Sequence, residues 1–265
     1  MSKKYVRELI QTTNGQYQEK FLFRFSCIIS FAILVIIAFL LPEGFTEFRN
    51  NDKMAPFWYM VTQSGGIYGA SSIIIFLFIF LMSHFRKKPN SGKNIFVFML
   101  TVILVQGAIS LSTLFIFKEL FREPRPSQLY FIEKGVIENR GKEFYAMPME
   151  EKSLYLRERV DEDKNNFLDV YPPILDSWIY ETGFSFPSGH SQTGFFLGTI
   201  LAFVLYKTNP KKYYFFFPLI WAVLLSLSRV LIGVHYPLDV TAGAFMSLII
   251  ALYIVSLKKF NIIFE

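Results

Sequence analysis

The chain has 265 residues, of which 52% are hydrophobic and 18% aromatic, with 31 phenylalanines. This composition excludes an ordinary soluble domain, which carries more charge, and is typical of an integral membrane protein. The formal net charge of +6 does not indicate nucleic-acid binding, because the basic residues lie beside apolar runs rather than along one stripe.

Six apolar segments are candidates for transmembrane helices, each of which needs about 20 mostly apolar residues. In chain order they are about 25–41, 58–85, 95–117, 191–206, 213–234 and 238–257. Gly65, Gly66 and Gly69 lower the hydropathy of the second segment, and its start is compatible with a segment that lies at the membrane interface. The first is predicted to stay uncleaved, because Leu40-Leu41-Pro42-Glu43 offers no small-residue cleavage site. The sequence therefore predicts an all-α integral membrane protein with six transmembrane helices in a single domain over residues 1–265.

The charges of the connections predict the orientation of these helices. Basic residues precede the first segment and follow the second, fourth and sixth: Lys3, Lys4, Arg7, Lys20 and Arg24; Arg86, Lys87, Lys88 and Lys93; Lys207, Lys211 and Lys212; Lys258 and Lys259. Basic connections face the cytoplasm, so both termini are predicted to be cytoplasmic. The connection at 127–182 is rich in Glu and Asp and is predicted to be a long extracytoplasmic loop between the third and fourth helices, with a charged helix over Met149–Lys164.

Residues suited to binding phosphate lie at the outer ends of three predicted helices. Lys118 and Arg125 follow the third segment, and Arg229 lies near the outer end of the fifth. An arginine fork matches phosphate oxygens, and lysine supplies a point charge. Ser188 and Gly189 directly precede the fourth segment, where a helix N-terminus favours an anion. Each residue alone is more typical of a headgroup anchor or a helix start, but their placement on one face predicts a phosphate-binding site.

Two of the three histidines of the chain fall on the same face. His235 and Asp239 are four residues apart, and an aspartate that binds one imidazole nitrogen leaves the other free to attack. His190 is suited to protonate a leaving alkoxide. Two histidines and one aspartate are also a zinc-ligand set. The surrounding cations would repel zinc and already supply its charge stabilisation, so neither a metal nor another cofactor is predicted.

These residues form three motifs that resemble the type 2 phosphatidic acid phosphatase superfamily. The motifs are Lys118-x6-Arg125-Pro126, Pro187-Ser188-Gly189-His190 and Ser228-Arg229-x5-His235-x3-Asp239. Three ordered motifs with fixed spacing are a specific signal, and they extend from the third predicted helix to the sixth. The resemblance implies His235 as a nucleophile that forms a phosphohistidine, Asp239 as its orienting partner and His190 as the general acid. It implies phosphate binding by Lys118, Arg125, Ser188, Gly189 and Arg229.

Further features are Glu123-Pro124-Arg125-Pro126, the long acidic loop, Glu181-Thr182-Gly183-Phe184 before the second motif, and the six predicted spans. With these features the chain looks, within the superfamily, most like the bacterial phosphatidylglycerophosphatase B branch. Together with the predicted topology, this resemblance implies a multi-pass protein of the bacterial inner membrane with its site facing the periplasm. No obligate protein partner is predicted. The implied substrates are phospholipid or polyprenyl phosphates, namely phosphatidylglycerophosphate, phosphatidate or undecaprenyl diphosphate. A lipid A phosphatase and a non-enzymatic lipid-phosphate binder or transporter remain alternatives. A vanadate-dependent haloperoxidase has a similar site, but such enzymes are soluble and the six predicted spans argue against one.

Overall fold

A computed structural model describes residues 3–41, 53–209 and 211–264. All of the regular secondary structure in those ranges is helical. The α-helices are, in chain order, α1 Lys3–Leu40, α2 Ala55–Gln63, α3 Ile67–His84, α4 Ser91–Ser112, α5 Lys118–Phe121, α6 Pro126–Glu133, α7 Lys142–Ala146, α8 Met149–Glu162, α9 Pro172–Tyr180, α10 Gly189–Thr208, α11 Phe216–Leu231, α12 Pro237–Ser256 and α13 Lys258–Asn261. Pro42 and Glu43, which entered the prediction of an uncleaved first span, lie outside the described residues.

Five helical segments among the described residues are long and apolar enough to cross a membrane. They are Phe21–Leu40, Ile67–His84, Ser91–Phe121, Tyr213–Leu231 and Pro237–Ser256. They correspond to five of the six predicted spans, with ends shifted by a few residues. The third continues from α4 into α5 through a π-helical turn, Thr113–Phe117. The all-helical architecture of a membrane protein is confirmed by these segments.

The predicted second span is divided into two helices. It breaks after α2, around Ser64, and only α3 has the length and apolarity of a span. The break brings Gly65 so close to α11 that an added Cβ would lie 2.4 Å from Leu225 Cδ2. The predicted interfacial start of this segment is therefore a separate short helix, α2, which packs against α11 and α9.

The predicted fourth span forms α10, which is not one of the five apolar segments. Its first six residues, Gly-His-Ser-Gln-Thr-Gly, are mostly polar or small and lower its hydropathy. Residues 191–200 are all buried, and α10 contacts α1, α3, α4, α11 and α12. Because other helices surround it, α10 needs less apolar surface than a helix that faces lipid. At Gly198 an added Cβ would lie 2.9 Å from Pro218 O, so the glycine permits close packing on α11.

The connection between α5 and α10 is a small helical layer with its own hydrophobic cluster. Phe131, Phe144, Phe167 and Trp178 are fully or almost fully buried in it. Trp178 Nε1 donates a hydrogen bond to Ile232 O at 2.7 Å, which fixes the layer to the end of α11. The charged helix predicted over 149–164 is confirmed as α8. This layer therefore lies over the ends of the helices that carry the three motifs.

Candidate active site

Backbone hydrogen bonds join the three sequence motifs at one end of the helices. The amide of Ser188 donates to Asp239 O at 3.0 Å, which links the second motif to the third. The amide of Ser127 donates to Gly233 O at 2.9 Å, which links the first to the third. At Gly243 of α12, an added Cβ would lie 2.6 Å from Ser188 O, so only glycine permits this approach. The motifs are thus held together by main-chain contacts.

His235 and Asp239 form a buried pair. Asp239 Oδ2 lies 3.2 Å from His235 Nδ1 and accepts a hydrogen bond from the amide of Tyr236 at 2.8 Å. His235 precedes the first residue of α12, Pro237, so the pair does not share a helix face as a spacing of four suggests. Instead, the carboxylate of Asp239 satisfies the amide at the start of α12 and reaches the imidazole beside it.

The second imidazole nitrogen of His235 faces a guanidinium. Nε2 lies 3.2 Å from Arg125 Nη1, and because Arg125 can only donate, Nε2 is the acceptor. Burial lowers the pKa of His235 well below its ordinary value, and the Arg125 and Arg229 cations lower it further. The imidazole is therefore neutral, with its proton on Nδ1 and a lone pair on Nε2.

Arg125 and Arg229 are both buried, and each is oriented by several hydrogen bonds. Arg125 donates from Nε to Gly183 O at 2.8 Å and from Nη1 to Val234 O at 3.0 Å. Arg229 donates from Nη1 to Thr62 Oγ1 at 2.6 Å. The Nε of Arg229 has no hydrogen-bond partner among the described residues, although the side chain is only 1% exposed. This donor is therefore available to a group bound in the site.

Glu181 is a site residue that the sequence analysis did not identify. Its carboxylate lies 3.0 Å from Arg125 Nη1, and both of its oxygens accept from Arg229 Nη2, one of them at 2.6 Å. Burial alone raises the pKa of a carboxyl group, but the Arg229 and Arg125 guanidiniums hold the pKa of Glu181 well below its ordinary range. A charged carboxylate therefore lies between the two arginines that were predicted to bind phosphate.

Glu181 and Thr62 were missed for different reasons. Glu181 belongs to the Glu-Thr-Gly-Phe segment just before the second motif, and an acid next to the predicted phosphate-binding residues was a usable signal. Thr62 carried no such signal, because it lies in a segment that was interpreted as part of a span. Only the break after α2 brings its hydroxyl to Arg229.

The remaining predicted residues border the open part of the site. Lys118 and His190 are half-buried, and no hydrogen bond holds either side chain within the described part of the chain. Beside Gly189, an added Cβ would meet no atom within 4 Å. Ser188 Oγ is buried and accepts from the hydroxyl of Ser191 at 3.1 Å, which leaves its own proton free to be donated. Across the described residues, no group of three or more His, Cys, Asp or Glu side chains is arranged to hold a metal ion.

Comparison with known proteins extends the similarity over most of the chain. Residues 94–263 match the PAP2 superfamily. Phosphatidylglycerophosphatase B of Haemophilus influenzae is 26% identical over 88% of this chain and 95% of its own. The Escherichia coli K12 protein of the same name is 30% identical over 73% of this chain and 71% of its own. An undecaprenyl-diphosphatase of Sulfolobus acidocaldarius is 46% identical, over 23% of this chain and 28% of its own.

Proposed function

We propose a function from the premise that this chain belongs to the PAP2 superfamily and is a membrane-embedded lipid phosphatase. It removes the terminal phosphate of lipids, through a phosphohistidine intermediate and without a metal ion. The substrates are monoesters such as phosphatidylglycerophosphate, with phosphatidate and the phosphoanhydride undecaprenyl diphosphate as further candidates. The relatives named phosphatidylglycerophosphatase B support the first substrate, and the undecaprenyl-diphosphatase supports the last.

The observation that carries this proposal is the pairing of His235 with Asp239 beside a buried arginine. Asp239 holds the proton on Nδ1, so Nε2 carries the lone pair, and this lone pair can attack phosphorus once Arg125 turns from Nε2 to the phosphate oxygens. Nε2 lies 3.2 Å from Arg125, a residue that binds phosphate oxygens well. The nucleophilic nitrogen thus lies next to the guanidinium that would bind the phosphate oxygens, which is the arrangement that phosphoryl transfer to histidine requires.

The reaction then proceeds in two steps. Nε2 of His235 bonds to phosphorus while the bond from phosphorus to the lipid oxygen breaks, and His190 gives its proton to that oxygen. Arg125, Arg229 and Lys118 stabilise the charge on the phosphoryl oxygens as it develops. In the second step water attacks the phosphohistidine, His190 takes a proton from the water, and phosphate leaves. The protein returns to its starting state without a net change in protonation.

Phosphate release from purified lipids in detergent micelles tests the substrate and the metal independence together. With excess EDTA, we expect phosphatidylglycerophosphate to be hydrolysed faster than phosphatidate, undecaprenyl diphosphate or lipid A. A higher initial rate on lipid A would replace the substrate proposal with the lipid A phosphatase alternative. Loss of activity in EDTA that returns with added divalent metal would contradict metal independence. Binding of these lipids without release of phosphate would indicate a non-enzymatic binder.

The proposed topology has six spans, with α10 as the fourth, both termini in the cytoplasm and the site facing the periplasm of an inner membrane. It is supported by the packing at the end opposite the motifs. There Lys88 Nζ donates to Ile263 O at 3.3 Å, and the rings of Phe85 and Phe264 lie 5.7 Å apart. Two of the basic connections therefore lie beside each other and away from His235, as the positive-inside rule requires.

Cysteine labelling in intact cells tests this topology. The only native cysteine, Cys27, is buried, so a Cys27→Ser background is suitable. A membrane-impermeant maleimide that crosses the outer membrane is expected to label Glu158→Cys in the loop before lysis, and Lys87→Cys only after lysis. The reverse pattern would invert the topology, and labelling of both before lysis would contradict the six-span arrangement.

A further inference from the structure

We infer that the carboxylate of Glu181 occupies the place of the substrate phosphoryl group in the resting site, and that phosphate binding requires its displacement. This inference rests on the proposed function, because it concerns the same arginines. Glu181 contacts Arg125 Nη1 at 3.0 Å and Arg229 Nη2 at 2.6 Å. A guanidinium binds carboxylate and phosphate oxygens through the same planar donors. The two anions are therefore competitors for one pair of side chains.

The rest of the site is open to a phosphoryl group while Glu181 is in place. Lys118 lacks an ion pair within the described ranges, Arg229 Nε lacks an acceptor there, and the space beside Gly189 is empty. An incoming phosphate can therefore contact the lysine and the N-terminus of α10 before either arginine is released. Exchange of one anion for the other along this path keeps each buried guanidinium paired, and an unpaired buried guanidinium would be strongly unfavourable.

Exchange is favoured over simultaneous binding because both anions need the same donors. Two anions bound to the same arginine nitrogens would lie in contact with each other. Contact between like charges is strongly unfavourable in a low-dielectric site.

The movement required is a rotation of one side chain. The backbone after Glu181 is fixed, because Thr182 O accepts from Gln128 Nε2 at 3.0 Å and Gly183 O accepts from Arg125 Nε at 2.8 Å. The Glu181 side chain is 26% exposed, against 1% for Arg229, so it has a side open to solvent. After hydrolysis, return of the carboxylate would help to expel orthophosphate. Glu181 thus acts as a release element that weakens the binding of every phosphate to the site.

Orthophosphate binding by the detergent-solubilised protein tests the inference. Glu181→Gln keeps the size of the side chain but removes its charge, and is expected to lower the dissociation constant for orthophosphate about tenfold or more in calorimetric titration. Glu123→Gln is the matched control, because Glu123 is exposed, lies near the site and makes no ion pair within the described part of the chain. The control is expected to change the constant by less than about twofold, since exposed charges interact weakly.

An unchanged or weaker affinity in Glu181→Gln would overturn the inference and leave Glu181 as a positioning residue for the arginines. Glu181→Asp covers the case in which the glutamine variant fails to fold. Its shorter carboxylate reaches the arginines less well, so it is expected to tighten orthophosphate binding by a smaller factor, and weaker binding would count against displacement.

The binding measurement does not depend on lipid hydrolysis by the protein. A tightened affinity in a protein that hydrolyses no lipid would support displacement of Glu181 and contradict the proposed function. Normal lipid hydrolysis with an unchanged orthophosphate affinity would support the proposed function and contradict displacement.

Discussion

Replacing His235 with alanine is expected to reduce phosphate release from lipid substrates by at least about 10³-fold in kcat, because removal of a nucleophile leaves only the binding contribution to catalysis. The side chain is 2% exposed, and its ring contacts Asp239 and Arg125. The expected loss concerns chemistry rather than binding, so orthophosphate affinity should change little. Initial rates under excess EDTA, together with the thermal unfolding midpoint, check the prediction.

His84→Ala is the matched control for this experiment. His84 lies at the end of α3 and packs on the ring of Phe80, with ring centroids 5.6 Å apart. It belongs to none of the three motifs, so this variant is expected to keep wild-type activity. Near-normal turnover in a folded His235→Ala protein would contradict the phosphohistidine mechanism. Trapping of ³²P on the wild type but not on His235→Ala, after an acid-free quench, would support it.

Replacing Asp239 with asparagine is expected to lower kcat by about 10²–10⁴-fold while the protein stays folded. An asparagine oxygen can still accept from the amide of Tyr236, which Asp239 binds at 2.8 Å, so the start of α12 is preserved. The change removes the negative charge that stabilises the proton on Nδ1 of His235. The imidazole then loses its orientation and its preference for the tautomer with a free Nε2.

Asp176→Asn is the control for the loss of one carboxylate charge. Asp176 forms an exposed ion pair with Arg157 at 2.8 Å and belongs to none of the motifs, so its removal is expected to leave kcat unchanged. A full loss of unfolding cooperativity in Asp239→Asn would show that the carboxylate is needed for folding rather than for orientation. Wild-type kcat in the folded variant would contradict the orienting role.

The helical class and the location of the chemistry could be predicted from the sequence because both depend on local signals. Spans are recognised by their apolar length, and the phosphate-binding residues by motifs with fixed spacing. The fourth span shows the limit of the first signal. The helix α10 is polar at its start because other helices surround it, so hydropathy alone does not separate it from a buried helix of a soluble protein.

The tertiary structure decided which charges meet. Glu181 and Arg229 are 48 residues apart and Thr62 and Arg229 are 167 apart, and no local pattern relates positions at such separations. The sequence determined that three cations, two histidines and an aspartate lie at the outer ends of predicted helices. Only the packing of α2 and the segment after α9 against α11 showed that a glutamate already binds two of those cations. Local propensity and spacing determine which segments are helical and which chemical groups each helix carries. The pairing of buried charges depends on distances that arise only when the helices pack.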